Sequence, residues 1–251
     1  MRLNECKKKS FLYAFLLFFI TWQVISICIN NDILPSPLKI IKFIFNNNLS
    51  KVILLHISHS FTRILVGVLI TLVIGIPIGI LMGYYKKIDL VLSPILYLTY
   101  PIPKISLLPI IMLIFGLGEI SKIIMIVFII MFPVIVNIRD SVKSIPEEVY
   151  YPMYSLGASD KKIIYEIVFP YVLPVMLTSI RIGIGTSISI LFFTETFGTE
   201  YGMGYYIMDC WMRVSYIEMY SAILILSFIG LMFFIFIDVL EGFLCPWKEN
   251  A

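Results

Sequence analysis

Apolar residues along this chain come in long unbroken runs, not in short alternating stretches. Six such runs lie near 11–29, 61–83, 90–115, 120–137, 171–193 and 218–240. Each is close to the length of about 20 apolar residues that one helical crossing of a bilayer needs. Inside lipid every backbone N–H and C=O must be satisfied within the segment, which selects helices, whereas a membrane barrel would show alternating segments of about ten residues. The pattern therefore predicts an all-α integral membrane protein with six transmembrane helices. The third and fourth runs are separated only by Gly116-Leu117-Gly118-Glu119. This reads as a tight turn, because glycine lets the chain reverse without steric strain.

Two segments between the runs are too long for simple turns. Residues 30–60 carry Pro35, Pro37, an apolar-basic pattern from Leu38 to Phe45, and then Asn46-Asn47-Asn48. This predicts a short interfacial helix followed by a polar break. Residues 138–170 form the other. Ser144-Ile145-Pro146-Glu147 has the spacing of a capping box, with proline in a first turn, so a short helix is expected to start there. Val149, Met153 and Leu156 would share one face of it, and Gly157 is its stop signal. Ser159 or Asp160 then caps a second helical run, carrying Ile163, Ile164, Ile167 and Val168 toward Pro170 and Pro174. The segment reads either as a surface loop with some helix or as a docking element for a partner.

Composition supports the membrane reading. Of 251 residues, 60% are hydrophobic and only 14% charged, against roughly half and a quarter in soluble domains. The net charge of +3 gives no reason to expect nucleic acid. Orientation follows from lysine and arginine in the short loops. With the N-terminus inside, the inner segments hold Arg2, Lys7, Lys8, Lys9, Lys86, Lys87, Arg139, Lys143, Lys161, Lys162 and Lys248. The outer ones hold Lys39, Lys42, Lys51, Lys122 and Arg213, with Arg63 at the membrane edge. The bias puts both termini in the cytoplasm. Lys7-Lys8-Lys9 before an apolar run has the look of a signal peptide, but the run to Ile29 is long for one and no small-residue cleavage site follows, so it is read as a retained span. Cys6, Cys28, Cys210 and Cys245 make no CxxC pair; Cys28 and Cys210 both fall on the outer side, where they would be either inert or a disulfide. His56 and His59 are three apart with no acidic neighbour in sequence, so no metal site is expected. No HExxH, GxSxG or P-loop occurs, so the chain is not an enzyme and cannot hydrolyse ATP by itself.

Charges inside apolar spans are costly and mark either a pathway or a helix contact. Lys104 follows the Pro101-x-Pro103 break in the third run, and both a pore position favouring an anion and a snorkelling or carbonyl-paired position fit it. Arg181 fits a structural pairing with a carboxylate or with helix ends, or a pore role. Glu195, followed by Gly198, Gly202 and Gly204, fits an outer gate or an interfacial carboxylate. Small residues recur at Gly67, Gly75, Gly79 and Gly83, and again at Gly183, Gly185, Ser187 and Ser189. They permit close helix approach, within the subunit or at a dimer seam.

Three motif groups together resemble the permeases of binding-protein-dependent ABC transporters. The first is Ser155-Leu156-Gly157-Ala158-Ser159 with Phe169-Pro170-Tyr171-Val172-Leu173-Pro174. The second is Pro101-Ile102-Pro103-Lys104-Ile105-Ser106-Leu107-Leu108-Pro109 with Phe115-Gly116-Leu117-Gly118-Glu119. The third is Arg181-Ile182-Gly183, Thr194-Glu195 and Gly202-Met203-Gly204-Tyr205. The latter two resemble the nitrate/sulfonate/taurine group. The resemblance runs from about residue 60 to 245. It implies a type I ABC importer fold: residues 1–60 as first helix and outer segment, 61–245 as a core of five spans with a cytoplasmic coupling loop at 138–170, and 246–251 as a tail. It further implies a multi-pass protein of the bacterial plasma membrane, with a cytoplasmic ATPase dimer that uses ATP and Mg, an extracytoplasmic substrate-binding protein and a second permease copy, identical or paralogous. No cofactor would be bound by this chain. The cargo would be a small anion such as a sulfonate, taurine or nitrate, or a vitamin precursor. The docking loop would comprise Glu147, Glu148, Tyr151, Pro152, Met153, Leu156, Gly157, Ala158 and Ser159. Pore or gate candidates would be Pro101, Pro103, Lys104, Arg181, Glu195, Gly202 and Gly204. One departure stands out: the family's Glu-Ala-Ala falls on Tyr151-Pro152-Met153, so docking would rest on Leu156, Gly157 and the apolar face, or on a more orthodox second permease. Proline there should kink or restart the helix. A stand-alone secondary transporter is the alternative; no inverted repeat favours it.

Overall fold

The computed structural model describes residues 2–29, 31–46 and 51–247, with side chains for 13–29, 31–45 and 52–247. The side chains of Cys6 and Lys7-Lys8-Lys9, the Asn47-Asn48 break and the tail from Lys248 lie outside the described residues. Among those described, the regular elements are all helical. Helix α1 spans Arg2–Ile29 and α2 Pro37–Asn46, the latter amphipathic and close to the expected interfacial helix. Next come α3 (Lys51–Tyr84), α4 (Lys86–Thr99), α5 (Leu108–Phe115) and α6 (Glu119–Lys143). Short α7 (Tyr151–Ser155) and α8 (Asp160–Ile163) lead into α9 (Phe169–Glu195), followed by α10 (Met203–Met212) and α11 (Tyr216–Leu244).

Four continuous helices are long and apolar enough to cross a membrane: Val52–Tyr84, Glu119–Lys143, Asp160–Glu195 and Tyr216–Leu244. The apolar part of α1 described here, Tyr13–Ile29, is shorter. The third expected span is not one helix. Lys86–Thr99 and Lys104–Phe115 meet at 81°. Pro101 and Pro103 cause the break, since each lacks a backbone N–H and its ring collides with the turn before it. A 3-10 turn over Lys104–Leu107 carries the chain round the corner. Pro109, by contrast, sits in the first turn of α5, where no donor is missed.

Two local expectations need correction. Ser144 does not cap a following helix: its backbone N–H bonds Asp140 O at 3.0 Å and its hydroxyl donates to Ser141 O at 2.8 Å. The residue closes α6, because that helix continues through polar Arg139, Asp140 and Lys143 past the end of its apolar run. The second helical run does start at Asp160, after Ser159, as expected, but it does not stay short. It continues into α9 as one helix, Asp160–Glu195. Pro170 can neither donate to the carbonyl four residues back nor fit its ring against it, and the backbone adjusts with a widened π turn at Ile164–Val168.

Helices α3 and α6 form the centre, with α9 packed on both. The glycine row of α3 explains how closely α6 lies. A Cβ on Gly79 would stand 2.8 Å from Ile138 Cβ, and one on Gly83 would stand 2.9 Å from the carbonyl oxygen of Arg139. Gly67 faces Ile126 and Gly75 faces Val134 in the same way. The row is therefore occupied within the chain. Gly183 meets Ile130 of α6, and Gly185 meets Phe234 of α11. Around this core the outward side chains stay apolar, as Val73, Leu113 and Phe228 show, which suits lipid as solvent.

Gly83→Ala should lower stability by about 1–3 kcal/mol, the usual range for overpacking a tight contact. Gly118→Ala, where a Cβ meets nothing within 4 Å, should stay within about 0.5 kcal/mol. Thermal unfolding of both variants in one detergent checks the contrast.

Candidate functional site

The loop between α6 and α8 is built from local backbone rules. Ile145, 6% exposed, anchors its start in the core. A 3-10 turn over Glu147–Val149 follows, and α7 begins afresh at Tyr151 with Pro152 in its first turn. Proline thus restarts the helix and does not kink it. The end of α7 is a complete Schellman cap: Gly157 N–H bonds Tyr154 O and Ala158 N–H bonds Met153 O, each at 3.0 Å. That geometry requires the positive φ of Gly157, +65°, where any Cβ would be strained. Ser159 is extended and lends its carbonyl, not its side chain, to the start of α8.

Past Ile145, several of the loop's large apolar side chains face outward. Leu156 is 80% exposed, and Tyr151 and Tyr154 are each 55% exposed. Glu147 and Glu148 are also exposed. Beneath them, Tyr84 and Tyr85 donate hydroxyl hydrogen bonds to the two Asp160 oxygens at 3.3 and 3.1 Å, tying the end of α3 to the start of α8. Partial desolvation and the Asp160 carboxylate hold the Tyr85 phenol above its ordinary range, and burial does the same for Tyr150. Both rings therefore stay neutral at physiological pH.

At the opposite ends of the same helices lies a buried charge cluster. Arg63 on α3 is 1% exposed and Glu195 at the end of α9 is 0% exposed. The Arg63 Nη1 group pairs with Glu195 and also donates to Tyr201 O at 2.8 Å. Its Nη2 group donates to Glu119, the first residue of α6, at 2.5 Å. The remaining Glu195 capacity is filled by the Ser60 hydroxyl and by the Gly204 N–H at 2.8 Å. His56 Nδ1 accepts from Gly202 N–H at 3.0 Å. Lys122 caps the turn by donating to Leu117 O at 2.7 Å and Gly198 O at 3.4 Å. Gly202 and Gly204 are needed for this wrapping: a Cβ on Gly202 would lie 2.5 Å from a Glu195 oxygen, and one on Gly204 would lie 2.9 Å from the Phe192 Cα.

The sequence-level candidates thus separate. Glu195, Gly202 and Gly204 come together in the cluster. Lys104 and Arg181 do not join it. Lys104, after Pro101 and Pro103, donates to Tyr100 O at 3.1 Å and lies 4.9 Å over the Phe132 ring. Arg181 pairs with Asp238 and, at 2.8 Å, with Glu241 of α11. Four partners were not anticipated: Ser60, Arg63, Glu119 and Lys122. Glu119 also lies 3.6 Å from His59, so the histidine without an acidic neighbour in sequence gains one in space. Arg63 and Lys122 carried a readable signal, each being a cation inside an apolar run. Cys28 and Cys210 form no disulfide. Among the described residues, no group of three or more His, Cys, Asp or Glu could hold a metal ion.

A family model described as the binding-protein-dependent transport system inner membrane component matches residues 75–249. The chain belongs to that family. It is an ABC transporter permease of the nitrate/sulfonate/taurine-like group. This permease is 28% identical to the formylaminopyrimidine transport permease protein ThiX of Halalkalibacterium halodurans, over 94% of both chains. It is 30% identical to the taurine transport system permease protein TauC of Escherichia coli, over 78% of this chain and 71% of that one. It is 27% identical to the nitrate import permease protein NrtB of Synechocystis, over 94% and 89%. Its fold matches a chain from inward-facing conformations of the MetNI methionine ABC transporter, with a TM-score of 0.66 and 18% identity, over 79% of the permease and 98% of that chain.

In this permease, removing one member of a buried ion pair strands the other. Arg63→Gln should cost about 3–5 kcal/mol. Combining it with Glu195→Gln should recover part of the loss, because the fully buried carboxylate is then neutral too, while Glu119 is exposed enough for water to solvate its charge. Unfolding midpoints of the two variants in detergent measure the difference.

Proposed function

We propose that this chain is the membrane-spanning subunit of an ATP-driven importer, with the 144–159 loop as its cytoplasmic docking element. The exposed Leu156 beside the rigid Gly157 cap carries the reading. Burying a leucine side chain is worth about 1.5–3 kcal/mol, and with the exposed Tyr151 and Tyr154 on the same short helix Leu156 makes an apolar patch of the kind that marks a contact surface. Both termini and the loop lie in the cytoplasm, in line with the lysine-rich segments on that side. ATP and Mg are used by a separate ATPase dimer, and this chain pairs with a second permease copy. An extracytoplasmic binding protein delivers the solute to the other face, near the Arg63–Glu195 cluster.

The relatives' names include taurine, nitrate and formylaminopyrimidine, and the solute taken here is a small molecule of that size, a small anion or a vitamin precursor. Lys104 at the broken third span fits an anion pathway. Its cation is held at a backbone corner between α4 and α5, where irregular backbone is tolerated if protein or a water-filled cavity surrounds it. Arg181, tied to α11, is assigned a structural role. ATP-dependent closure below would move α6 and α9 at their loop ends, while the cluster holds their far ends together.

The test is recovery of ATPase activity with the tagged permease from its own host membranes. Gly157→Glu should lower recovery at least tenfold while the detergent-solubilised permease keeps its unfolding midpoint within a few degrees. Undiminished recovery would remove the docking role. Lys104→Gln should reduce uptake of the anion but leave ATPase recovery unchanged, as measured in proteoliposomes containing the binding protein; unchanged uptake would take Lys104 out of the pathway.

A further inference from the structure

On the loop side, a cavity of about 720 Å³ opens between the end of α3, the start of α4 and the 144–159 loop. Five tyrosines line it: Tyr84, Tyr85, Tyr150, Tyr151 and Tyr154. Tyr150 and Tyr154 are stacked with centroids 6.1 Å apart, while Tyr84 meets Tyr85 edge-on at 4.9 Å and Tyr150 at 6.3 Å. Their hydroxyls point the hydrogen-bonding capacity of the pocket at a carboxylate, because Tyr84 and Tyr85 both donate to Asp160. Of the lining ionisable groups, Asp89 and Lys143 pair at 2.5 Å. That sets Lys86 against Asp160 and Glu147, leaving the lining net negative.

Electron-rich ring faces around a carboxylate are the environment that attracts a cation. An anion meets Asp160 and Glu147, and a neutral apolar group would leave the Asp160 charge without a counter-charge. Tyr151 and Tyr154 line the cavity, are themselves exposed, and sit on the short helix that ends at the exposed Leu156, so a surface that covers Leu156 reaches the cavity as well. We propose that this tyrosine–aspartate cage receives a basic side chain, an arginine, of the ATPase subunit. A guanidinium can lie flat on a tyrosine face while two of its N–H groups reach Asp160, a combination that an ammonium matches less well. The inference rests on the docking reading above. It adds the chemistry of the contact: at the place where related loops carry a glutamate this chain has Tyr151, and the negative charge is supplied from Asp160 at the start of α8 and Glu147.

Benzoylphenylalanine is placed at Tyr154 and, separately, at Leu156, and the tagged permease is photo-cross-linked in its host membranes. The expected partner peptide from position 154 comes from a subunit with a G-x-x-x-x-G-K-[ST] motif and has an arginine within a few residues of the cross-link. Asp160→Asn and Tyr154→Leu should then each lower recovery of that subunit about three- to tenfold, a range set by exposed and desolvated cation–π contacts, with Tyr154→Phe restoring it. The loss on Asp160→Asn should shrink with added salt, which screens the wild-type contact. Replacing the partner arginine by glutamine should cause no further loss on top of Asp160→Asn, since contacting residues are coupled. Size-exclusion elution of each variant checks that it is folded. Cross-linking from 156 but not 154, a peptide without a basic residue, or additive losses would each overturn the cage and leave docking standing. No cross-link to an ATPase from either position would overturn both.

Discussion

A guanidinium with no access to water sets the terms for one end of this molecule. Arg63 sits at 1% exposure in the first turns of a long apolar helix, and in a low-dielectric surrounding its charge is tolerable only with close partners. Those partners come from two other helices: Glu119 begins α6 and Glu195 ends α9. One side chain therefore ties together the three helices that form the centre. The neighbouring groups complete the arrangement, since Ser60, the Gly204 N–H and the Tyr201 carbonyl fill the hydrogen-bonding capacity that the ion pair leaves open. A half-satisfied set would cost more than an apolar one, which is why the loop after α9 has glycines where it passes over the carboxylate.

The helices themselves were legible because lipid imposes a crude rule, a long apolar run, that the chain obeys. What the rule could not show was where each helix stops. Helix α6 continues from the end of its apolar run at 137 to Lys143, and α3 begins at Lys51, well ahead of its run, since polar residues at a water boundary keep helical hydrogen bonds as readily as apolar ones. Ser144 shows the consequence: its spacing to Glu147 reads as the start of a helix, yet the preceding helix reaches it first and uses it as an end. The prolines at 101 and 103 were legible as a break but not as an 81° corner, because proline forbids a regular turn without choosing a direction.

The site was legible in the same uneven way. Gly157 as a helix stop follows from local chemistry and is realised as a Schellman cap. The charge cluster needs contacts between residues 56 and 132 positions apart in sequence, which no local pattern encodes. Its traces were Glu195 with the glycines that follow it, and the presence of Arg63 and Lys122 inside apolar runs. The glycine row on α3 had two readings from spacing alone, of which packing within the subunit is the safer, and the positions of Ile126, Val134, Ile138 and Val142 opposite it agree with that one.

The two ends of the α3–α6–α9 core differ in what holds them. One end is pinned by buried charges with their hydrogen bonds filled. The other is joined by exposed tyrosine hydroxyls on Asp160, an ion pair of Lys143 with Asp89, and a loop whose leucine faces outward. Hydrogen bonds and ion pairs in contact with water contribute about 1 kcal/mol or less each, so this end yields first when the helices are pushed apart. The π turn at Ile164–Val168 lies just inside it, and such turns absorb changes in helix direction at little cost.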